Sequence, residues 1–363
     1  MKKYNFDYYL LAVVAILVVI GIVVLSSVSA VLAQEKFGNT TFYLFHQIIY
    51  GILPGIIFGF VAFKINLLKI KKWAWLFVLI GLGLMGLVFV PGLGVVAGGA
   101  SRWLGFGRVS FQPSEFLKIT FIFYLAAWLA SSRREHKNLK LGLIPLLVIL
   151  GIIALFLIFQ SNISTLGVIV ISAAIMYFSA QTPFWHSILL FLIGLGVCSA
   201  LIRLAPYRMK RLQVLLGLIK DPMGLGYQIK QILIAIGSGG LFGLGLGASC
   251  QKFGFLPQAM SDSVFAIIAE ETGFVGCAVL IFLFLIFAWQ GFKTAKKAQD
   301  KFLQLLAVGI TSWICIQAFV NIGAMVGILP LTGIPLPFIS YGGSHLVAEL
   351  IGVGILLNIS KKC

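Results

Sequence analysis

The sequence predicts an all-α polytopic membrane protein with about ten transmembrane helices, both termini cytoplasmic and a large extracytoplasmic loop between helices 7 and 8. Three observations carry that expectation. Of the 363 residues, 60% are hydrophobic and only 10% charged, where ordinary soluble domains carry about 25% charge. Mean hydropathy is +1.08. The apolar residues gather into runs of about 20, the length one helical crossing requires. Backbone polar groups in hydrocarbon must be satisfied within the segment, so these runs span as helices. A single membrane domain is expected over 1–363, with its extracytoplasmic loop at about 205–261.

The first helix is expected over 9–32. Lys2 and Lys3 precede it and no small-residue cleavage site follows, so it reads as a retained helix and not a cleaved signal. Runs at 42–63, 73–91, 112–130, 142–160, 163–181 and 186–204 follow. Beyond the large loop come 262–290, 303–328 and 340–359. Only a short polar stretch divides the fifth run from the sixth, which makes nine the alternative count.

Charge separates the two counts. With a cytoplasmic N-terminus and ten crossings, the short inner segments hold 16 of the 27 basic residues, as the positive-inside rule requires. The outer loops 33–41, 161–162 and 329–339 hold a single one, Lys36. An odd number of helices would put one end of this pattern on the wrong side. The formal charge of +17 is therefore an orientation signal and not a mark of nucleic-acid binding. Two outer segments depart from the rule: 92–111 carries Arg102 and Arg108, and 203–252 carries Arg203, Arg208, Lys210, Arg211, Lys220, Lys230 and Lys252. Either long loops escape the rule, or an anionic partner is met on the outer face. The five cysteines are scattered, without metal or redox spacing. No inverted repeat of the secondary-transporter kind is evident.

Five stretches carry candidate chemistry. In GGASRWLGFGRVSFQPSEFLK (98–118), Pro113 suits the first turn of a helix. Glu115 and Lys118 then share one helix face, as a local ion pair or as part of a site. Arg102 and Trp103 form an interfacial cation and ring, common also as a headgroup anchor. In YRMKRLQVLLGLIKDPMGLGYQIKQ (207–231), a basic cluster precedes the turn former Asp221-Pro222. In GSGGLFGLGLGASCQK (237–252), Gly239, Gly243 and Gly247 recur every four residues, suited to close helix packing or to a backbone facing phosphate. No P-loop spacing is present.

The fourth stretch, GFLPQAMSDSVFAIIAEETGF (254–274), crowds Asp262, Glu270 and Glu271 together in a chain with only ten acidic residues. Ser261 could cap a helix that starts near Asp262. Asp262 and Glu270 would then lie about 12 Å apart along it and within roughly 80° around it, with Glu271 nearly opposite. Asp262 is thus expected at the outer membrane boundary, with the glutamates deeper, where ionisable groups default to a functional hypothesis or to a buried network. In QAFVNIGAMVGILPLTGIPLPFISYGGSH (317–345), Pro330, Pro335 and Pro337 forbid a continuous helix. An outer irregular connection, packed on protein or open to a cavity, is expected there.

Taken together and in order, RW…FQPSEFLK, DPMGLGYQ, GGLFGLGLGASCQK, SDSVFAIIAEETGFVG and LPLTGIPLPFISYGGS closely resemble the SEDS family (shape, elongation, division and sporulation), which includes FtsW, RodA and SpoVE. The resemblance covers nearly the whole chain. The GLGASCQK form at 245–252 and the GILLNIS ending look more like the FtsW branch than the RodA branch. The chain departs from the family pattern in two places. Met260-Ser261 stands where His-Thr or His-Ser is common, and Gln160-Ser161-Asn162-Ile163-Ser164-Thr165 stands where an acidic-Pro-Asp-x-Gly-Thr run usually opens the sixth helix.

The resemblance implies a peptidoglycan glycosyltransferase, inverting and using a lipid-pyrophosphate sugar donor. It would join lipid II units on the extracytoplasmic face of the bacterial cytoplasmic membrane during cell division. The implied partners are a class B penicillin-binding protein and other divisome membrane proteins. The family's essential aspartate maps onto Asp262, the expected catalytic base. Arg102, Lys118, Arg208 and Lys252 are expected to meet the pyrophosphate, with Glu115 orienting Lys118 and Ser340 also in the substrate site. No metal ligands and no cofactor are assigned, with a divalent cation (Mg or Mn) left open. The alternatives are a lipid II flippase, with Glu270 and Glu271 lining a pathway, or a non-catalytic scaffold for the cross-linking enzyme.

Overall fold

The computed structural model describes residues 6–97, 100–106, 109–131, 139–204, 206–216, 218 and 224–361. Asp7 starts the first helix, α1 (Tyr8–Phe37), by accepting from the main-chain N–H of Leu10 at 3.1 Å, and Gly38 ends it in a left-handed conformation. The second crossing is built from α2 (Phe42–Gln47), a π-helical turn at Ile48–Ile52 and α3 (Leu53–Lys64). The third joins α4 (Leu67–Ile70), capped by Asn66, through a 3-10 turn to α5 (Ala74–Leu87). Pro113 opens α6 (Pro113–Leu129) at the position where its missing N–H costs nothing. The chain continues through α7 (Ile144–Phe159), α8 (Ile163–Ser179) and α9 (Phe184–Leu204), then the shorter α10 (Pro206–Leu215) and α11 (Leu225–Ser238). It closes with α12 (Val264–Lys297), α13 (Lys301–Met325) and α14 (Gly343–Ser360).

Among the described residues, seven helical stretches are long and apolar enough to cross a membrane: 8–37, 42–64, 67–87, 139–159, 264–297, 301–325 and 343–360. α6, α8 and α9 lie on the three remaining apolar runs. The two ends of the chain meet, since the main-chain N–H of Asp7 donates to Ser360 Oγ at 3.1 Å.

The all-α expectation needs one correction. Residues 94–111, between α5 and α6, hold a three-stranded antiparallel sheet: β1 (Gly94–Ala97), β2 (Ala100–Phe106) and β3 (Val109–Phe111), in the order β1-β2-β3. A connection of this length outside the helices must still pair its backbone, and two short hairpins do so locally.

α13 is the central helix, with Phe302, Leu305, Leu306, Ile310, Trp313 and Ile314 all buried. The outer helices are apolar on both faces, one packed inward and one left open, as on α7, where Val148, Leu155 and Phe159 are exposed. That is the pattern of a helix between protein and lipid. α3 and α14 approach closely through glycines, and a Cβ placed on Gly354 would run into the main chain of Gly59. Gly354→Ala is therefore expected to lower the Tm of the detergent-solubilised protein through overpacking, about 1–3 kcal/mol. Gly151→Ala, with nothing within 4 Å of the added carbon, is expected to leave Tm unchanged in the same assay.

Candidate active site

α12 is not one straight rod. Gly273 has φ 67° and ψ −164°, which interrupts the helix. The turn preceding the break leaves carbonyls unpaired and the turn after it leaves N–H groups unpaired. The segment following α11 supplies partners for both. The N–H groups of Leu244 and Gly245 donate to the carbonyls of Glu270 and Glu271 at 3.0 and 3.1 Å, and those of Phe274 and Val275 donate to Gly240 and Leu241 at 2.9 and 3.1 Å. Only glycines allow this approach, because a Cβ on Gly239, Gly243 or Gly273 would strike main-chain atoms across the contact.

The two glutamates secure the same junction. Glu270 accepts from the Ser249 hydroxyl and from the N–H groups of Cys250 (3.1 Å) and Gln251 (3.4 Å). Glu271 accepts from Ser27 of α1 at 2.9 Å and pairs with Lys252 at 3.4 Å. Both carboxylates are buried. Three carboxylates cluster in this stretch because two of them tie the 239–252 segment to α12 and α1, which leaves Asp262 as the third.

The start of α12 differs from the sequence expectation. The helix begins at Val264 with Ser263 at its N-cap position, and Asp262 sits in the preceding turn. Ser261 does not cap the helix: its hydroxyl donates to Gln258 Oε1 at 2.8 Å and lies 3.1 Å from Asp262 Oδ1. Asp262 is half-buried. Gly333, in a left-handed conformation with φ 67°, lies beside the carboxylate: a Cβ there would be 3.8 Å from Asp262 Oδ2, an ordinary contact. Burial pushes the Asp262 carboxyl above its ordinary value, against the lowering pull of hydrogen bonds from the main chain and Ser261 and of the Arg211 charge.

Around Asp262 lies the irregular stretch 330–341 that the three prolines require, and other elements pin it. Arg211 of α10 donates to the Leu331 carbonyl at 2.8 Å and Ser164 of α8 to the Thr332 carbonyl at 2.6 Å. Glu349 of α14 accepts the N–H of Phe338 at 2.8 Å, and Gln317 of α13 donates to the Pro335 carbonyl at 3.2 Å. Arg102 of β2 fixes the turn before α8 by donating to the Gln160 and Ser161 carbonyls at 2.9 and 2.7 Å.

With this geometry in place, the chain was compared with known proteins. Residues 7–363 match the cell cycle protein family of FtsW, RodA and SpoVE. The chain belongs to that family. It is 39% identical over 360 residues to stage V sporulation protein E of Bacillus subtilis strain 168, covering 99% of this chain and 98% of the relative. It is 37% identical over 359 residues to the probable peptidoglycan glycosyltransferase FtsW of Geobacter sp. strain M18, covering 99% and 97%. Among solved structures it is similar to a chain from work on the coordination of polymerization and crosslinking by a peptidoglycan synthase complex (TM-score 0.80, 25% identity, 98% of both chains). It is also similar to the rod shape determining protein RodA of Thermus thermophilus (TM-score 0.73, 25% identity, 99% of this chain and 98% of that one).

The structure distributes the expected site residues of this family member unevenly. Lys252 was expected at the pyrophosphate; it is turned inward, held by the Gly247 carbonyl, Ser27 (3.0 Å) and Glu271. Lys118 is likewise buried, 2.8 Å from Glu115, donating to Gln317 Oε1 at 2.7 Å and lying over the Trp313 ring. Glu115 and Lys118 thus pair with each other in the interior of the bundle. Ser340 is fully buried and bridges main-chain groups instead of opening to a ligand. Arg208 lies on α10, with its side chain outside the described residues; Asp221 and Arg108 lie outside them altogether. Asn162, in the departing motif, donates to Ser114 Oγ at 3.4 Å.

Arg211 is the residue the sequence grouped with its basic neighbours without assigning it, and the fold carries it to the Asp262 turn. Its Lys-Arg context held no cue to that role. Lys252→Met, which strips the buried Glu271 of its ion-pair partner, is expected to lower stability by about 3–5 kcal/mol. The double variant Lys252→Met, Glu271→Leu is expected to recover part of that loss. Thermal unfolding in detergent checks both.

Proposed function

We propose that this protein is a peptidoglycan glycosyltransferase that joins lipid II disaccharide units in cell division, with Asp262 as general base. Family membership and the full-length likeness to relatives named as glycosyltransferases support the reaction class. The observation that carries the residue assignment is a half-buried carboxylate at the head of α12, beside the proline-rich segment at Gly333, with the Arg211 charge acting on it.

The reaction asks little of the protein covalently. The 4-hydroxyl of one saccharide attacks the anomeric carbon of another with inversion. The C–O bond to the lipid pyrophosphate breaks, and the hydroxyl proton passes to the Asp262 carboxylate. General-base help of this kind is worth roughly 10²–10⁴-fold. A base of raised pKa takes the proton more readily, provided it is deprotonated at working pH. Negative charge develops on the departing pyrophosphate, where a nearby cation stabilises it most in a water-poor site; Arg211 is the leading candidate, with Arg102 and Arg208 beside it in the proposal.

The same reading places ten helices across the cytoplasmic membrane with both termini inside and Asp262 on the outer side, where the reacting sugars are in water. A class B penicillin-binding protein is the proposed partner, in keeping with the likeness to a chain of a peptidoglycan synthase complex.

Purified protein given lipid II on the outer side of vesicles is expected to form glycan polymer, and Asp262→Asn to reduce the rate at least 10²-fold. Headgroup movement without polymer, unaffected by Asp262→Asn, would instead establish a flippase. Polymer that persists in Asp262→Asn would remove this residue from the mechanism. The pH profile gives a second check. The base acts deprotonated, so a raised carboxyl means that the rate falls as pH drops through a value above the usual aspartate pKa of about 3.9. Arg211→Gln removes a lowering influence and is expected to move that acid limb to still higher pH.

A further inference from the structure

The turn that carries Asp262 is gripped at three successive main-chain carbonyls. The N–H of Tyr341 donates to Met260 O at 2.8 Å, the hydroxyl of Ser340 to Ser261 O at 2.5 Å, and the side-chain amide of Asn321 to Asp262 O at 2.8 Å. The third grip is the one that reaches Asp262 itself. Asn321 lies in the penultimate turn of α13, 1% exposed, and its Nδ2 also donates to Ile334 O at 2.8 Å. Both N–H groups of one amide are therefore spent on two separate chain segments, one bearing Asp262 and the other passing beside it next to Gly333.

This use fixes the orientation of the amide. Turned over, it would set its oxygen against two carbonyl oxygens. It also restricts which side chain can serve. Aspartate in its ionised form has no donor, serine has one, and glutamine carries its amide one methylene farther out than the space between the two carbonyls allows. We propose that Asn321 is a positioning residue for the glycosyl transfer: it holds the Asp262 main chain against the 330–341 segment so that the carboxylate meets the attacking hydroxyl. This deepens the polymerase reading and rests on it.

The magnitude follows from geometry. A shift of about 1 Å in a reacting group can lower the rate on the order of 10²-fold. Loosening the Asp262 carbonyl lets the carboxylate swing toward water without removing it or any substrate contact. The expected signature is a fall in kcat at unchanged KM. The acid limb should also move down toward that of an ordinary carboxylate, because the swung-out group loses its burial. Arg211 of α10 is the charged side chain that acts on Asp262; weakening its lowering influence with distance opposes the downward shift, but burial is the larger influence and sets the sign.

The protein contains its own control. Asn358 of α14 is 4% exposed and spends its amide in the same way, donating to Ala62 O at 2.8 Å and Ile65 O at 2.6 Å. It does so at the opposite end of the bundle, close to the terminal contact between Asp7 and Ser360. The same lesion can thus be made twice, once at the site and once away from it.

The experiment measures polymerisation of lipid II by the full-length protein in vesicles, over a range of substrate concentration and pH, for wild type, Asp262→Asn, Asn321→Ala and Asn358→Ala, with Tm recorded for each. Asn321→Ala is expected to lower kcat roughly 10–100-fold with KM within about twofold, and to shift the acid limb downward. Asn358→Ala is expected to lose comparable Tm while keeping wild-type kcat and pH profile. Should Asn321→Ala not accumulate, Ser340→Ala, which frees the adjacent Ser261 carbonyl, is read by the same criteria. Wild-type kcat and acid limb in a folded Asn321 variant, or equal kcat losses at the two asparagines, would overturn the proposal while leaving the polymerase reading in place. A wild type that forms no polymer, or Asp262→Asn that keeps full rate, would instead overturn the reading on which the proposal rests.

Discussion

Main-chain N–H and C=O groups buried among membrane helices have no water to turn to, and each left unpaired costs several kcal/mol. Two stretches of this chain run irregularly through such surroundings, and the second borders Asp262. The break at Gly273 is completed by main-chain groups of residues 240–245. The proline-rich stretch after α13 is completed by side chains from α8, α10, α13 and α14, which reach in one at a time. Irregular backbone is what lets a polar carboxylate stand at the head of an apolar helix, and the requirement to satisfy that backbone dictates most of the polar residues found around it.

Seen this way, most of the buried polar side chains are structural ties, and their chemistry fits the task. Glu270 accepts from two consecutive main-chain N–H groups and a hydroxyl, work suited to an acceptor-only carboxylate. Lys118 and Lys252 each pair with a glutamate and also bind a neutral oxygen, so neither charge is left alone in the interior. Breaking such a pair leaves an uncompensated buried charge, which is why the ties can matter greatly for stability without touching a ligand.

The apolar runs located the helices well because hydrocarbon imposes one dominant rule that composition alone reveals. Pro113 marked the first turn of α6, and Pro330, Pro335 and Pro337 marked the irregular stretch, because a missing N–H acts locally. The sheet over 94–111 was not legible, since a short pairing of strands outside the membrane leaves no strong periodic trace. Lys252 and Lys118 looked like free cations because a sequence shows charge but not which carboxylate the fold brings within reach. Asn321 was passed over for the converse reason. It sits in an apolar helix without a charged neighbour, and its value depends on residues 262 and 334, which only the folded chain brings to it.

The division of labour at Asp262 has its own electrostatic logic. The donors that hold its main chain are neutral: a tyrosine N–H, a serine hydroxyl and an asparagine amide. They act on the carbonyls of the turn, while the carboxylate itself takes its hydrogen bonds from the main chain of the same turn and from Ser261. Had lysines or arginines done the same work at hydrogen-bond distance, their charge would favour the ionised acid and lower its pKa, and a more acidic carboxylate is a weaker base. Neutral clamps hold the main chain without lowering the carboxyl, which burial keeps high. The charge that does act on it, from Arg211, comes from a separate helix and is anchored on the Leu331 carbonyl. Placement and charge thus come from different residues: the neutral donors set where the carboxylate stands and how deeply it is buried, and Arg211 supplies the charge that acts on it.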